Sequence, residues 1–252
     1  MINSLAFTYF NFPKSTVIDA LVKFGSAKAI LNSSFYELTY GEAFSEKAAE
    51  KILRYKEEFC IRAAQEIKRM EDFGIKIIPY GSEQYPTLLA ECEDAPSVLF
   101  VMGNCDLIVG NEKWITIVGT RSCSEIGMLI TEKLLEDVSL KAKDTVVVST
   151  LSAGIETKVH CEAIKRGLRA VGVISTSHDA IANLDLASEI LKYGGAIISE
   201  YPLGKGYTPN AYAERNRIAA GLSHATVIVE ADAGSNTLTT ADLAKSYNRE
   251  VF

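Results

Sequence analysis

From Trp114 onward, short apolar runs punctuate the chain: ITIVG, TVVVS, RAVGVIS, GAIISE and ATVIVEA. Apolar residues that run on without alternating with polar ones belong to strands covered on both faces, as in a parallel sheet flanked by helices. The stretches between the runs carry helix signals. Ser124 can cap EIGMLITEKLLEDVS, Glu156 to Arg166 follows the second run, Leu184 to Lys192 ends at Gly194, Ala211 to Ala220 ends at Gly221, and TLTTADLAKSYN follows Ser235. Strand and helix thus alternate repeatedly, which predicts an α/β fold with a doubly wound, mostly parallel sheet. Ahead of it the pattern changes. The chain up to about residue 72 reads as helical, with STVIDALVKFG opening at an N-cap Ser15 and closing at Gly25, and a long segment running from a cap at Ser45 to a stop at Gly74. IKIIPYG, YPTLLAE and APSVLFVMGN then suggest short strands joined by an irregular connector. The expected division is a helical module over residues 1–74 and an α/β domain over 75–252, whose strand-rich lead-in spans 75–113.

Composition narrows the function more than the fold. The 252 residues, 48% hydrophobic and 23% charged, are those of an ordinary globular protein large enough to bury a sizeable core. The formal net charge is -6, and the excess acid is N-terminal: residues 1–112 hold 11 basic and 16 acidic side chains, residues 113–252 hold 15 and 16. Any nucleic-acid binding must therefore come from a local patch in the nearly neutral second part. Cys60, Cys92, Cys105, Cys123 and Cys161 are odd in number and widely spaced, with only 3 histidines beside them, so neither a disulfide framework nor a metal site is expected. No segment has the length and apolarity of a membrane span, and the N-terminus lacks a signal-peptide pattern, which makes the cytoplasm the expected location.

In open parallel sheets, ligands collect beyond the carboxyl ends of the strands. After the apolar runs come TRSCSEIG, TLSAGIE, YPLGKGYTPNAYAERNR and DAGSNTLTTA, each combining glycine, hydroxyl or basic residues with a helix start. Helix N-termini offer unpaired N–H groups and partial positive charge to an anion, so several phosphates in a row are implied. Glycine and serine also serve any tight strand-to-helix turn, and it is the convergence of several loops that favours a ligand. Arg121, just past the first run, is the strongest pointer: a guanidinium at a crevice floor needs an anionic ligand or an acidic partner, with Glu200 and Glu230 as the structural alternatives. In RNR, Arg215 and Arg217 lie about 200° apart on a helix, so one reaches the crevice while the other holds a neighbouring loop or carboxylate. Spacing leaves the choice open. His160 either lines the crevice or packs beneath the sheet edge. His178 and Asp179 read as a solvated loop, and Cys123 as a small loop residue. A dinucleotide site fits poorly, because GTRSCSEIG is not G-x-G-x-x-G and Ser149 stands where a ribose-binding acid belongs. No cofactor is called for.

Taken in order, YPTLLAECEDAPSVLFVMGN, ITIVGTRSCSEIG, VVVSTLSAGIETKVHCEAI, GGAIISEYPLG, RNRIAAGLSHATVIVEA, SNTLTTADLA and NREVF resemble the blocks of the DNA-processing protein A family, also called Smf. The resemblance covers residues 75 to 252 and is most specific in the RNR block. It implies an extended Rossmann-like fold behind a SAM-like helical module, binding of single-stranded DNA, dimerisation, and delivery of the strand to the RecA recombinase during natural transformation. By matching position, it implies a strand-binding pocket of Gly119, Thr120, Arg121, Ser122, Ser149, Thr150, Ser152, Gly154, His160, Arg215, Asn216 and Arg217, with Lys165 added by proximity. Tyr201, Tyr207 and Tyr212 offer stacking surfaces. Some positions depart from the family pattern: Ser149-Thr150-Leu151-Ser152 replaces Ser-Gly-Leu-Ala, Glu156 replaces an aspartate, and STSHDAIANL lacks an aspartate–tyrosine–proline pattern. The resemblance also places Phe252 inside the last strand, short of a C-terminal winged-helix-like module.

Two other readings accompany that of a non-enzymatic strand binder. One is a nucleotide-binding protein that cleaves base from ribose, with Glu200 or Glu230 as general acid or base and Arg121 clamping the phosphate. The other is a partner-binding adaptor whose pocket has decayed.

Overall fold

The computed structural model describes residues 1–109, 113–206 and 208–252. Helices α1 (Ile2–Thr8), α2 (Lys14–Phe24), α3 (Ala27–Asn32), α4 (Phe35–Thr39) and α5 (Glu46–Asp72) come first. The lead-in holds β1 (Ile75–Pro79), α6 (Thr87–Ala90), β2 (Val98–Gly103) and α7 (Asp106–Val109). The regular part runs β3 (Trp114–Val118), α8 (Glu125–Lys141), β4 (Val146–Thr150), α9 (Ile155–Lys165), β5 (Arg169–Val173), α10 (Leu184–Lys192), β6 (Ala196–Ser199), α11 (Ala211–Gly221), β7 (Ala225–Ile228), α12 (Asn236–Ser246) and β8 (Glu250–Val251).

All these strands join one sheet in the order β1-β2-β6-β5-β4-β3-β7-β8. From β6 to β8 neighbouring strands are parallel, while β2 runs antiparallel to both β1 and β6. The chain steps outward from β3 through β4 and β5 to β6, then returns to place β7 on the other side of β3. That reversal makes the C-terminal ends of β3, β4 and β7 the switch point where such sheets open a crevice.

Unbroken apolar strands follow from this layering. In β4, Val146 and Val148 face one side and Val147 the other, and each side meets its own layer. Ile117, Val147, Ile155, Val159, Leu186, Ile190 and Ile197 form the core on the side that includes α9 and α10. On the opposite side, Val146, Val148, Val171 and Ile198 pack with Ile218 and Leu222 at the end of α11. That second cluster continues into the N-terminal helices through Leu99 and Phe100 to Met70, Ile52, Leu38, Phe10 and Phe7. The helical module and the sheet therefore share one core.

The helix boundaries show which sequence signals governed. Ser45 and Ser124 accept from the backbone N–H groups of Ala48 and Gly127, and Gly25 closes α2 with φ at 76°. Ser15 does not open α2: the helix starts at Lys14 with Pro13 in the cap position, where the ring presets φ at -53°. Gly221 is the last residue of α11, where the sequence ends the helix, but it lacks the positive φ of the stop at Gly25. A Cβ there would sit 2.8 Å from Leu89 and 2.9 Å from Cys92, so the glycine lets α11 approach the lead-in. YPTLLAE is not a strand; Pro86 opens the short helix α6, which buries Leu89.

The shared core predicts a single cooperative unfolding transition. Trp114, the only tryptophan, is buried on β3 and reports on the sheet. Phe10→Ala in the helical module should cost about 3–5 kcal/mol. Trp114 fluorescence and far-UV circular dichroism should still shift together in a urea titration. Separate midpoints would show that the module folds on its own.

Candidate nucleic-acid interface

The loop after β3 carries Gly119, Thr120, Arg121 and Ser122, and the loop after β4 presses against it. Gly154 has φ at 79°, and a Cβ there would lie 2.4 Å from the carbonyl oxygens of both Thr120 and Arg121. Gly119 packs just as closely, with Ile155 atoms 2.6 Å from where its Cβ would be. The Ile155 N–H donates to the Thr120 carbonyl at 3.2 Å, and the Thr120 N–H donates to the Glu230 carbonyl at 2.8 Å. Two glycines thus allow three loops to interlock and hold Arg121 at the sheet edge, where its side chain is exposed.

Facing this edge is α11. Two guanidiniums lie over the Tyr212 ring, that of Arg121 4.9 Å from its centroid and that of Arg215 5.3 Å. Arg215 is only 7% exposed and donates to Ser152 Oγ at 3.2 Å. Its Nε and Nη2 both donate to Asn216 Oδ1, at 3.2 and 2.9 Å, and Asn216 Nδ2 donates to the Asn236 carbonyl at the start of α12. Asn216 therefore fixes its neighbour's guanidinium and anchors both to the next helix. Among the described residues, no carboxylate lies within 4.0 Å of Arg121 or Arg215. Burial lowers the Arg215 pKa; the Glu156 carboxylate, farther off than 4.0 Å, opposes the shift, and the charge of Arg121 adds to it.

The choice left open by spacing is resolved on α11. Arg215 reaches the crevice, and Arg217 points to the other flank, where it pairs with Glu200 and lies 3.9 Å from Asp94. Thr150 is wholly buried and contacts Glu156 and Ser152. Ser149 is also buried, donating to the Ile117 carbonyl at 2.6 Å and stitching β4 to β3. His160 lies beneath the crevice, its Nε2 donating to the Thr150 carbonyl at 3.0 Å. Burial pushes its pKa down to about 4, partly countered by hydrogen bonds to the backbone at Thr150 and Ser149. Lys165 is not brought to the others. It ends α9, whose N-terminus faces the crevice, so the helix rise puts it about 15 Å away, and there it lies 3.9 Å from Glu132 and 3.7 Å from Glu162. Tyr201 hydrogen-bonds Glu214 on the far flank of α11, and Tyr207 lies outside the described residues.

One expectation needs revision. The α8 N-terminus is not open to an external anion, because Glu230 accepts from Ser124 N and Oγ at 3.0 Å. Gly127 makes room for it: a Cβ there would be 2.1 Å from Glu230 Oε2. Glu156 similarly occupies the first turn of α9. The starts of α9, α11 and α12, by contrast, carry no side-chain cap. The role of Glu230 was hidden in the sequence, since its only trace is an acid closing ATVIVEA opposite a serine-capped helix. His178 and Asp179 also differ from the solvated loop expected: His178 is buried, with Nε2 3.1 Å from the Ile197 carbonyl, and Asp179 accepts from Gly204 N at 3.0 Å. They clip the loop after β6 to the loop after β5.

The sheet order and its flanking helices define a Rossmann-like α/β protein. The family model for DNA recombination-mediator protein A matches residues 76–252, and the chain belongs to that family. It is 34% identical over 199 residues to DNA processing protein DprA of Bacillus subtilis, covering 78% of this chain and 66% of that protein. Protein Smf of Synechocystis is 32% identical over 216 residues, covering 84% of this chain and 53% of that protein. The chain thus spans about half to two thirds of the length of these curated relatives. The fold matches the X-ray structure of DprA from Streptococcus pneumoniae with a TM-score of 0.82 at 24% identity, over 98% of this chain and 83% of that one. A DprA structure from Helicobacter pylori, described for its single-stranded DNA binding mode, matches at 0.61 and 22% identity, over 71% and 79%.

Two outcomes follow from this geometry. Gly154→Ala should lower stability by at least about 1–3 kcal/mol from backbone strain alone; an unchanged thermal midpoint would mean that the loops do not interlock as described. Because the folded-state pKa of His160 is depressed, the unfolded chain binds the extra proton between about pH 6.5 and 4. Stability should therefore fall on acidification through that window, and urea midpoints for His160→Gln should depend less on pH than those of the parent.

Proposed function

We propose that this chain binds single-stranded DNA without regard to sequence and acts in DNA processing rather than as an enzyme. The observation that carries the reading is the pair of guanidiniums, Arg121 and Arg215, both held over the ring of Tyr212 with no carboxylate within 4.0 Å among the described residues. Two like charges in one crevice repel each other until an anion arrives, and successive phosphates of a strand supply that anion while the tyrosine offers an aromatic face. Membership in the DNA recombination-mediator protein A family supports the same ligand. With this reading come a homodimer, a cytoplasmic setting and transfer of the strand to the RecA recombinase in natural transformation. These rest on the family resemblance.

The pocket assigned to the strand comprises Gly119, Thr120, Arg121, Ser122, Ser152, Gly154, Arg215 and Asn216, with Ser149, Thr150 and His160 supporting its floor from below. Cleavage of base from ribose is less well supported. Of its two candidate acids, Glu230 is held by Ser124, and Glu200 is paired with Arg217 and Lys14.

Arg121→Glu should weaken binding of an oligo-dT strand at least about tenfold, or 1.4 kcal/mol. The exposed side chain leaves thermal stability nearly unchanged. Equal affinity of the two proteins at low salt would remove the reading, and release of free base from nucleoside monophosphates would promote the enzymatic one.

A further inference from the structure

The two flanks of α11 do different things. About 200° of helix rotation separates Tyr212 from Glu214, and the same angle separates Arg215 from Arg217. The flank bearing Tyr212 and Arg215 forms the crevice wall. On the opposite flank, Lys14 at the start of α2 lies 3.1 Å from Glu200 and 3.5 Å from Glu214. Glu200 also pairs with Arg217, and Glu214 accepts from the Tyr201 hydroxyl. Arg217 in turn lies 3.9 Å from Asp94, which accepts from the Tyr247 hydroxyl at 2.7 Å. One chain of contacts thus runs from the helical module, through the loop after β6 and the far side of α11, to the lead-in and the end of α12.

We infer that Lys14, Glu200 and Arg217 are positioning residues, a clamp through which the docked helical module fixes the rotation of α11 and so holds Arg215 and Tyr212 against Arg121. The inference rests on the strand-binding reading of the crevice and adds the part played by the N-terminal helices.

The physical need for such a clamp is visible in the crevice itself. Without a ligand, the charge of Arg121 acts against that of Arg215, and Glu156 counters it only from beyond 4.0 Å. Asn210 gives α11 no side-chain cap, so the first turn is not secured from its own N-terminus. The opposing force is on the other flank, where Arg217 is 5% exposed and Glu200 15%, so their attraction is only weakly screened. Lys14 contributes a second cation to the same carboxylate and a first to Glu214. It is the exposed member of the clamp, with its side chain 34% accessible, and can be replaced without leaving a buried charge unpaired, because Glu200 retains Arg217.

The test uses the full chain and an oligo-dT strand, with affinity measured across a salt series. Lys14→Gln should weaken binding about threefold to tenfold and leave the log–log salt slope unchanged, because no phosphate contact is lost. An unchanged affinity for Lys14→Gln would overturn the inference. A slope shallower by about 0.7 would do so too, since it would mark Lys14 as a direct phosphate contact. If Arg121→Glu also leaves binding intact, the strand-binding reading itself is at fault; if Arg121 matters and Lys14 does not, only the clamp is.

Discussion

The structure depends on holding two like charges together. Arg121 is delivered by the loop after β3 and Arg215 by α11, and they meet at one tyrosine ring with no carboxylate within 4.0 Å among the described residues, Glu156 acting on Arg215 from farther off. Left to themselves, guanidiniums find carboxylates, and this chain has more acids than bases. The neighbouring acids are all engaged elsewhere: Glu230 with the α8 N-terminus, Glu156 with Thr150, Glu200 with Arg217 and Lys14, and Glu214 with Tyr201 and Lys14. Where each carboxylate is tied decides which guanidiniums are left without a salt bridge.

That arrangement gives apparently structural details a functional sense. Gly127 is small so that Glu230 can enter the α8 N-terminus, and Gly154 is small so that the Arg121 loop can close on α9. Asn216 spends its amide on orienting Arg215 and on α12. The buried, neutral His160 supports the Thr150 carbonyl without adding charge to the floor. Each ties backbone geometry to where charge is placed.

Much of the fold was legible in the chain because it follows from one-dimensional signals. Unbroken apolar runs such as TVVVS have no stable place except a strand covered on both faces, and Ser45 and Ser124 mark helix starts through a local hydrogen bond. Arg121 stood out because it follows such a run directly. What stayed hidden was settled by contacts distant in sequence. The spacing of Arg215 and Arg217 shows that they diverge, but only the position of Glu200 decides which one turns away. Lys165 looked close to the pocket because α9 begins there, and the length of the helix removes it. Gly221 marks the end of α11 in the sequence, but the approach of Leu89 and Cys92 that requires a glycine there does not show in it. Glu230 lies 106 residues from the serine that it caps, and no local pattern announces such a pairing.

The most direct measurement of the central claim is the affinity of the unmodified chain for a single strand as a function of salt. Two guanidiniums that engage phosphates release counterions, so the logarithm of the binding constant should fall against the logarithm of salt concentration with a slope of about -1.4 or steeper. A flat dependence would mean that Arg121 and Arg215 do not meet phosphate, and that their juxtaposition serves some other end.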